Sequence, residues 1–351
     1  MAVIRRLFAG TNSGTGFFSF FSEIIGPKTK RVYLLKGGPG TGKSRFMLDI
    51  AEALQARGYE QERIYCSSDP YSLDAVVFPE PGAVIIDATA PHALEAEWPG
   101  CRDELICLGN YWSAQALIER REEIIRAGRE KRGHFAAAFR YFGAANLLEE
   151  NIAARHDEPG ESFAGIRAGL AAQFKPAKKC FRFGTARHLF ASALTPAGYL
   201  SFVGEIAEHC SKRFVLTEPA AKHSAACLAQ LAAQAQYAGL DVEIFHYPLN
   251  PERIQHMLIP SLKLGFFSET ALEKLQDVEG ERISSGSAAI NAAAENAGDQ
   301  NLFRELIALG VQSLQRAQAS HGEVEEYYAS QMDFAALALE RERVMAEILK
   351  L

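Results

Sequence analysis

Residues 6–24 and 188–206 are two versions of one segment, displaced by 182 positions. Eight of the nineteen positions are identical: Leu7/Leu189, Phe8/Phe190, Ala9/Ala191, Gly16/Gly198, Ser19/Ser201, Phe20/Phe202, Glu23/Glu205 and Ile24/Ile206. Average composition yields roughly one identity by chance. A repeat at half the chain length constrains the fold strongly, because one supersecondary plan must serve twice. At 351 residues the chain also exceeds what one ordinary core sustains. Two similar units are therefore expected: 1–160, a boundary region 161–186, and 187–351. The boundary region is marked by breaker-rich and lysine-rich stretches between helical patterns.

The first unit carries the most specific motif. Val32 to Leu35 read as a short buried strand, and Gly37-Gly38-Pro39-Gly40-Thr41-Gly42-Lys43-Ser44 fit G-x-x-x-x-G-K-[ST], the P-loop. Helix-compatible sequence follows from Arg45 to Arg57. Gly37, Gly40 and Gly42 let the backbone curl until its N–H groups converge on one anion. The helix N-terminus adds positive potential. Lys43 is then the expected β/γ-phosphate ligand and the Ser44 hydroxyl the expected Mg²⁺ ligand. Gly37 through Arg45 is the candidate nucleotide-binding stretch. A glycine-rich turn that binds nothing would not need the strand before it and the helix after it.

The repeat continues into this region and fails there. Lys30-Arg31 is matched with Lys212-Arg213 and Leu34 with Leu216. Pro39-Gly40-Thr41-Gly42-Lys43-Ser44 then faces Pro219-Ala220-Ala221-Lys222-His223-Ser224 after a two-residue deletion. Without the glycines the anion nest is not expected to form. His223 replaces the lysine, with Lys222 beside it.

Ala83 to Asp87 read as a buried strand ending in an acid, the Walker B pattern whose carboxylate holds Mg²⁺. Its partner in the second unit, Leu264 to Ser268, ends in Ser, so loop, lysine and metal acid are all missing there. In open α/β sheets ligands bind beyond the carboxyl ends of strands. Asp69 and Asp74, after the strand Arg63–Cys66, therefore belong on the ligand side, where a carboxylate can orient a hydroxyl or a water. Ser-Ser-Asp-Pro is equally an ordinary turn. No acid follows Asp87 directly. Thr89 is a candidate γ-phosphate sensor and His92 a candidate general base or substrate contact, although a lone His is more often structural. Lys43, Asp87, Asp69 and His92 form the candidate catalytic set, and Ser44 and Asp87 the candidate metal ligands.

Residues 111–153 and about 299–351 show helical periodicity. Ser113 reads as an N-cap. Arg120, Arg121, Arg126, Arg129 and Arg132 offer a lid arginine, but Glu/Arg pairs at helical spacing suit a solvated face better. The net charge of −6 gives no global pull toward nucleic acid or an anionic membrane. The apolar runs stop short of a membrane span, and the start lacks a signal peptide's apolar region. The six cysteines are scattered in no common zinc pattern. Reduced thiols in a cytoplasmic protein are expected.

The chain resembles an uncharacterised bacterial family of tandem P-loop ATPases. The resemblance rests on residues 7–12 (Leu7 to Asn12), 36–44, 66–69 (Cys66 to Asp69), 87–92 (Asp87 to His92), 187–192 and 326–334. It spans nearly the whole chain. It implies two P-loop domains in one polypeptide and ATP as the nucleotide; the expected fold is two P-loop NTPase-like α/β three-layer domains with mostly parallel sheets and added helical hairpins, and the expected cofactors are ATP and Mg²⁺. It supplies no reaction. Three functions are expected in order: ATP hydrolysis coupled to another process, γ-phosphate transfer to a nucleoside or other small metabolite, and a nucleotide-dependent binding switch. Nucleotide and a small-molecule or protein substrate are the expected partners.

Overall fold

The computed structural model describes residues 3–155, 164–174, 182–217, 222–284 and 297–351. The first half contains β1 (Ile4–Phe8), β2 (Gly10–Ser13), β3 (Gly16–Ser19), β4 (Arg31–Lys36), α1 (Lys43–Gln55), β5 (Gln61–Tyr65), β6 (Leu73–Phe78), β7 (Ala83–Asp87) and β8 (Asp103–Cys107). It continues into helices α2 (Ala114–Glu119), α3 (Arg121–Arg155) and α4 (Ala164–Ala171). The second half contains β9 (Ala186–Leu189), β10 (Ser192–Thr195), β11 (Gly198–Ser201), α5 (Val203–Glu208), β12 (Lys212–Thr217), α6 (Lys222–Tyr237), β13 (Val242–His246), β14 (Ile254–Ile259), β15 (Leu264–Ser268) and β16 (Glu281–Ser284). It ends in α7 (Ala297–Ala329) and α8 (Phe334–Ile348).

Each half builds a six-stranded sheet, in the orders β1-β5-β6-β7-β4-β8 and β9-β13-β14-β15-β12-β16. The two orders are the same once repeat partners are matched. All pairings are parallel except those of β6 and β14, each antiparallel to both neighbours. Short connections on either side of β6 leave no room for a crossover helix, which forces the reversal. Even the register shift recurs, between Ile64 and Tyr65 and between Phe245 and His246.

This geometry corrects the sequence alignment. Ala88 N–H donates to Leu35 O, and Glu269 N–H donates to Leu216 O, so Leu216 matches Leu35 rather than Leu34. Lys36 and Thr217 close their strands at an offset of 181, and near the helix ends Leu54 O accepts from Tyr59 N–H as Ala235 O accepts from Leu240 N–H, at the same offset (36 to 217, 54 to 235). The intervening loops are therefore equally long, with no two-residue deletion. His223 takes the place of Gly42, and the buried Ser224 takes the place of Lys43. One residue is instead lost earlier, between Ile206 and Lys212. The pairing of Leu264–Ser268 with Ala83–Asp87 stands, and Ser268 occupies the position of Asp87. Residues 218–221 of the second loop lie outside the described residues, as do residues 156–163 and 175–181 of the stretch 155–186.

Alternation along the central strands separates two faces. Tyr33 and Leu35 of β4 pack with Phe46, Met47 and Ile50 of α1. Val32 and Leu34 face the other way, into one core that also holds Leu189, Phe190, Val215 and Phe267 of the second half. Each sheet is thus covered by helices on one side and by the other half on the other. The helical extensions cross over. α3 and α7 pack along each other, and a Cβ on Gly310 of α7 would lie 2.2 Å from the Phe142 ring of α3. α4 then reaches α6 of the second half, while α8 places Leu337, Val344 and Ile348 in the α1 core of the first. The expected helical extensions are present, and their last helices, α4 and α8, serve the opposite half. Among the described residues no helix is long and apolar enough to cross a membrane.

Candidate functional site

The glycine loop joins the end of β4 to the start of α1. Gly40 and Gly42 sit at φ +69° and +85°, left-handed conformations that residues with a Cβ rarely adopt. They turn the chain so that α1 begins at Lys43 with Gly42 as its N-cap. Thr41 Oγ1 donates to Gly38 O at 2.8 Å and braces the turn from inside. Lys43 Nζ folds back over the loop, donating to Gly37 O (3.0 Å) and Gly38 O (2.7 Å). It also lies 3.6 Å from Asp87 Oδ2 at the end of β7. The Ser44 hydroxyl accepts from Leu73 N–H at 2.9 Å, which fixes it beside the first residue of β6. Lys43, Ser44 and Asp87, far apart in sequence, are therefore brought to one edge of the sheet, beside the strand ends that α/β topology favours for ligands.

Thr89 ties this edge together. Its Oγ1 donates to Gly37 O at 3.0 Å, and its N–H donates to Asp87 Oδ1 at 2.9 Å. Arg45 points outward and pairs with Asp49 at 2.6 Å, so it contributes to the helix surface rather than to the loop. Asp69 is engaged as a turn: it accepts from Ser72 Oγ at 2.6 Å and from Tyr71 N–H at 3.4 Å. It also accepts from Gln318 Nε2 of α7 at 3.5 Å. His92 is buried between the rings of Phe17 and Phe21, with Nε2 3.4 Å from Asp74 Oδ2. That pair lies behind the loop. Burial raises the Asp74 carboxyl above the usual range, against the pull of His92.

The five candidate lid arginines, Arg120, Arg121, Arg126, Arg129 and Arg132, are all exposed. The cation of α3 that faces the loop is Lys131, whose Nζ lies 3.1 Å from His321 Nδ1 on α7. Burial lowers the Lys131 ammonium. Burial, then the charges of Lys131 and Lys43, push His321 down to about 4. His321 Nε2 is 3.6 Å from Glu325 Oε1. Burial and the Asp69 charge raise the Glu325 carboxyl, while the nearby Gly40 amide acts against them. A Cβ on Gly40 would meet the Glu325 carbonyl oxygen at 2.4 Å, and one on Gly38 would meet the Tyr328 ring at 2.9 Å. The glycine loop is thus roofed by one face of α7.

Sequence reasoning missed Lys131, Gln318, His321, Glu325 and Tyr328. A signal existed: positions 318, 321, 325 and 328 share one helical face, and that face carries polar and aromatic side chains. Nothing in the sequence joined it to a loop some 280 residues earlier.

A scan against protein-family models, a search of curated proteins and a search of solved structures each found no match for this chain.

Proposed function

We propose that the first half is a P-loop unit that binds Mg·ATP and hydrolyses it, with the change in bound phosphate transmitted to α7. One observation carries this reading: left-handed Gly40 and Gly42 turn directly into Lys43 at the start of α1, with the strand-end carboxylate Asp87 3.6 Å from the lysine. This arrangement supplies backbone donors, a helix N-terminus and a cation to one anion. The donor chemistry fits the cofactor. Ser44 and Asp87 offer hard oxygen ligands suited to Mg²⁺, and the Cβ-free loop lets backbone approach phosphate closely. Mg·ATP would supply an activated phosphoryl group there. Lys43 would hold the β- and γ-phosphates, Ser44 and Asp87 the cation, and Thr89 the spacing between loop and strand end. Membership in the tandem P-loop ATPase family is part of the same proposal.

Glu325 favours a switch as the second reading. Its carboxylate faces the Gly40 amide, an N–H that phosphate would use. Nucleotide and Glu325 would compete for it, so binding would shift α7 and, through α3, the opposite half. The test is turnover of labelled ATP with Mg²⁺, with and without pooled metabolites. Phosphate release supports hydrolysis, and label on a metabolite would replace it by a kinase. Bound ATP with neither would leave the switch, and the absence of ATP binding would reject the whole reading.

A further inference from the structure

Behind the glycine loop lies a second constellation that the phosphate site does not use. Cys66 follows β5, Asp74 is the second residue of β6, and His92 lies on the loop after β7. One ligand atom from each lies within 4.8 Å of the other two, and His92 Nε2 is 3.4 Å from Asp74 Oδ2. We propose that Cys66, Asp74 and His92 bind a thiolate-preferring divalent cation of the zinc class.

The donor set carries the argument. Sulfur, imidazole nitrogen and carboxylate oxygen are the three ligand types of zinc, whereas Mg²⁺ takes oxygen. Zinc–ligand bonds of about 2.0–2.3 Å put tetrahedral ligand atoms roughly 3.3–3.8 Å apart, a small contraction from the present spacing. The charges close as well: a thiolate, a carboxylate and a neutral imidazole around a divalent ion leave no net buried charge. Binding displaces the thiol proton, and any proton on the raised Asp74 carboxyl, to solvent. Three protein ligands leave a fourth position for water or a substrate atom.

The second half provides an internal control. At the offset of 181 its equivalents are Tyr247, Gln255 and Glu273. Gln255 Nε2 donates to Glu273 Oε2 at 2.9 Å, and Tyr247 Oη donates to Glu149 Oε1 at 3.2 Å. The same fold position is closed there by ordinary hydrogen bonds, so packing does not demand a thiol and an imidazole. The rings of Phe17 and Phe21 hold the His92 imidazole beside Asp74, and its Nδ1 is buried with no hydrogen-bond partner among the described residues.

The full chain, stripped with chelator and kept reduced without nucleotide, is titrated with Co²⁺ and then Zn²⁺. One equivalent of Co²⁺ giving thiolate-to-cobalt charge-transfer absorption, discharged by Zn²⁺, is expected. Cys66→Ser should abolish that absorption, and His92→Gln should weaken Co²⁺ binding at least about 10-fold, each with unchanged circular dichroism. Cys101→Ser and Cys107→Ser, at exposed thiols, should change neither. Absorption that persists in Cys66→Ser, or its absence from the parent protein, overturns the site. If His92→Gln does not fold, Cys66→Ser alone decides. Because nucleotide is absent, the result is independent of whether ATP binds at the glycine loop.

Discussion

Phe8 and Phe190 exchange backbone hydrogen bonds: Phe8 N–H donates to Phe190 O at 3.0 Å and Phe190 N–H to Phe8 O at 2.9 Å. They are repeat partners, so the local two-fold axis relating the halves passes between them. The side chains repeat the symmetry. Arg5 pairs with Glu62 (2.8 Å) and Glu243 (2.7 Å), and its partner Arg187 pairs with Glu62 (2.7 Å) and Glu243 (3.6 Å). The repeat is a dimer interface within one chain, sealed by a shared core.

Glu62→Gln removes one of two carboxylates serving two half-buried guanidinium groups. Breaking a buried pair costs about 3 kcal/mol, so the denaturation midpoint should fall by that equivalent while the transition remains single. Two resolved transitions in the parent protein, followed by fluorescence and circular dichroism, would show instead that the halves fold independently.

The two halves also differ in a way that separates their roles. Lys43→Ala should weaken ATP binding at least about tenfold, the loss of one or two charged hydrogen bonds. His223→Ala should leave affinity unchanged, because His223 stands where the first half has Gly42. Equilibrium titration with ATP checks both. Retained binding in Lys43→Ala would move the nucleotide elsewhere.

Glu325→Gln tests the roof over the loop. Replacing the carboxylate removes a competitor for the Gly40 amide and a negative charge near incoming phosphate. ATP should bind roughly 3- to 10-fold more tightly, the range of one modest hydrogen bond. Calorimetry at fixed ionic strength reads this directly. Weaker binding would make Glu325 a partner of the nucleotide rather than its rival.

Much of the architecture was legible because it is local. The strand, glycine loop and helix around Lys43, the strand ending in Asp87, and the Ser113 cap each follow from neighbouring residues. The duplication foretold two sheets of one topology. The alignment slipped by one residue because a single deletion before Lys212 left Lys30-Arg31 and Lys212-Arg213 falsely matched. Only strand hydrogen bonds, which distinguish adjacent residues by face, expose such a slip. The crossing of α4 and α8 to opposite halves was not legible either. An amphipathic helix records that it needs an apolar partner, not which of two similar sheets provides it. Glu325 reaches the loop because α7 of the second half lies over it.

His246 makes stability pH-dependent. Its Nδ1–H donates to Pro251 O at 2.6 Å, which leaves Nε2 to accept from His188 Nδ1 at 2.8 Å. The rings of Phe20 and Phe190 pack against it. Burial and the neighbouring His188 push it down to about 4, well below the ordinary histidine value. Between those two values the unfolded chain binds more protons than the folded one, so stability is full above about pH 6.5 and falls as pH drops toward 4. The loss from this residue is about 3 kcal/mol at most. His321, also pushed to about 4, adds to it in the same direction, less so because it is a third exposed. Denaturation midpoints measured from pH 7 to pH 5 should fall steadily. His246→Gln, which keeps a donor for Pro251 but cannot take up the proton, should flatten that slope, and an unchanged slope would remove His246 as its source.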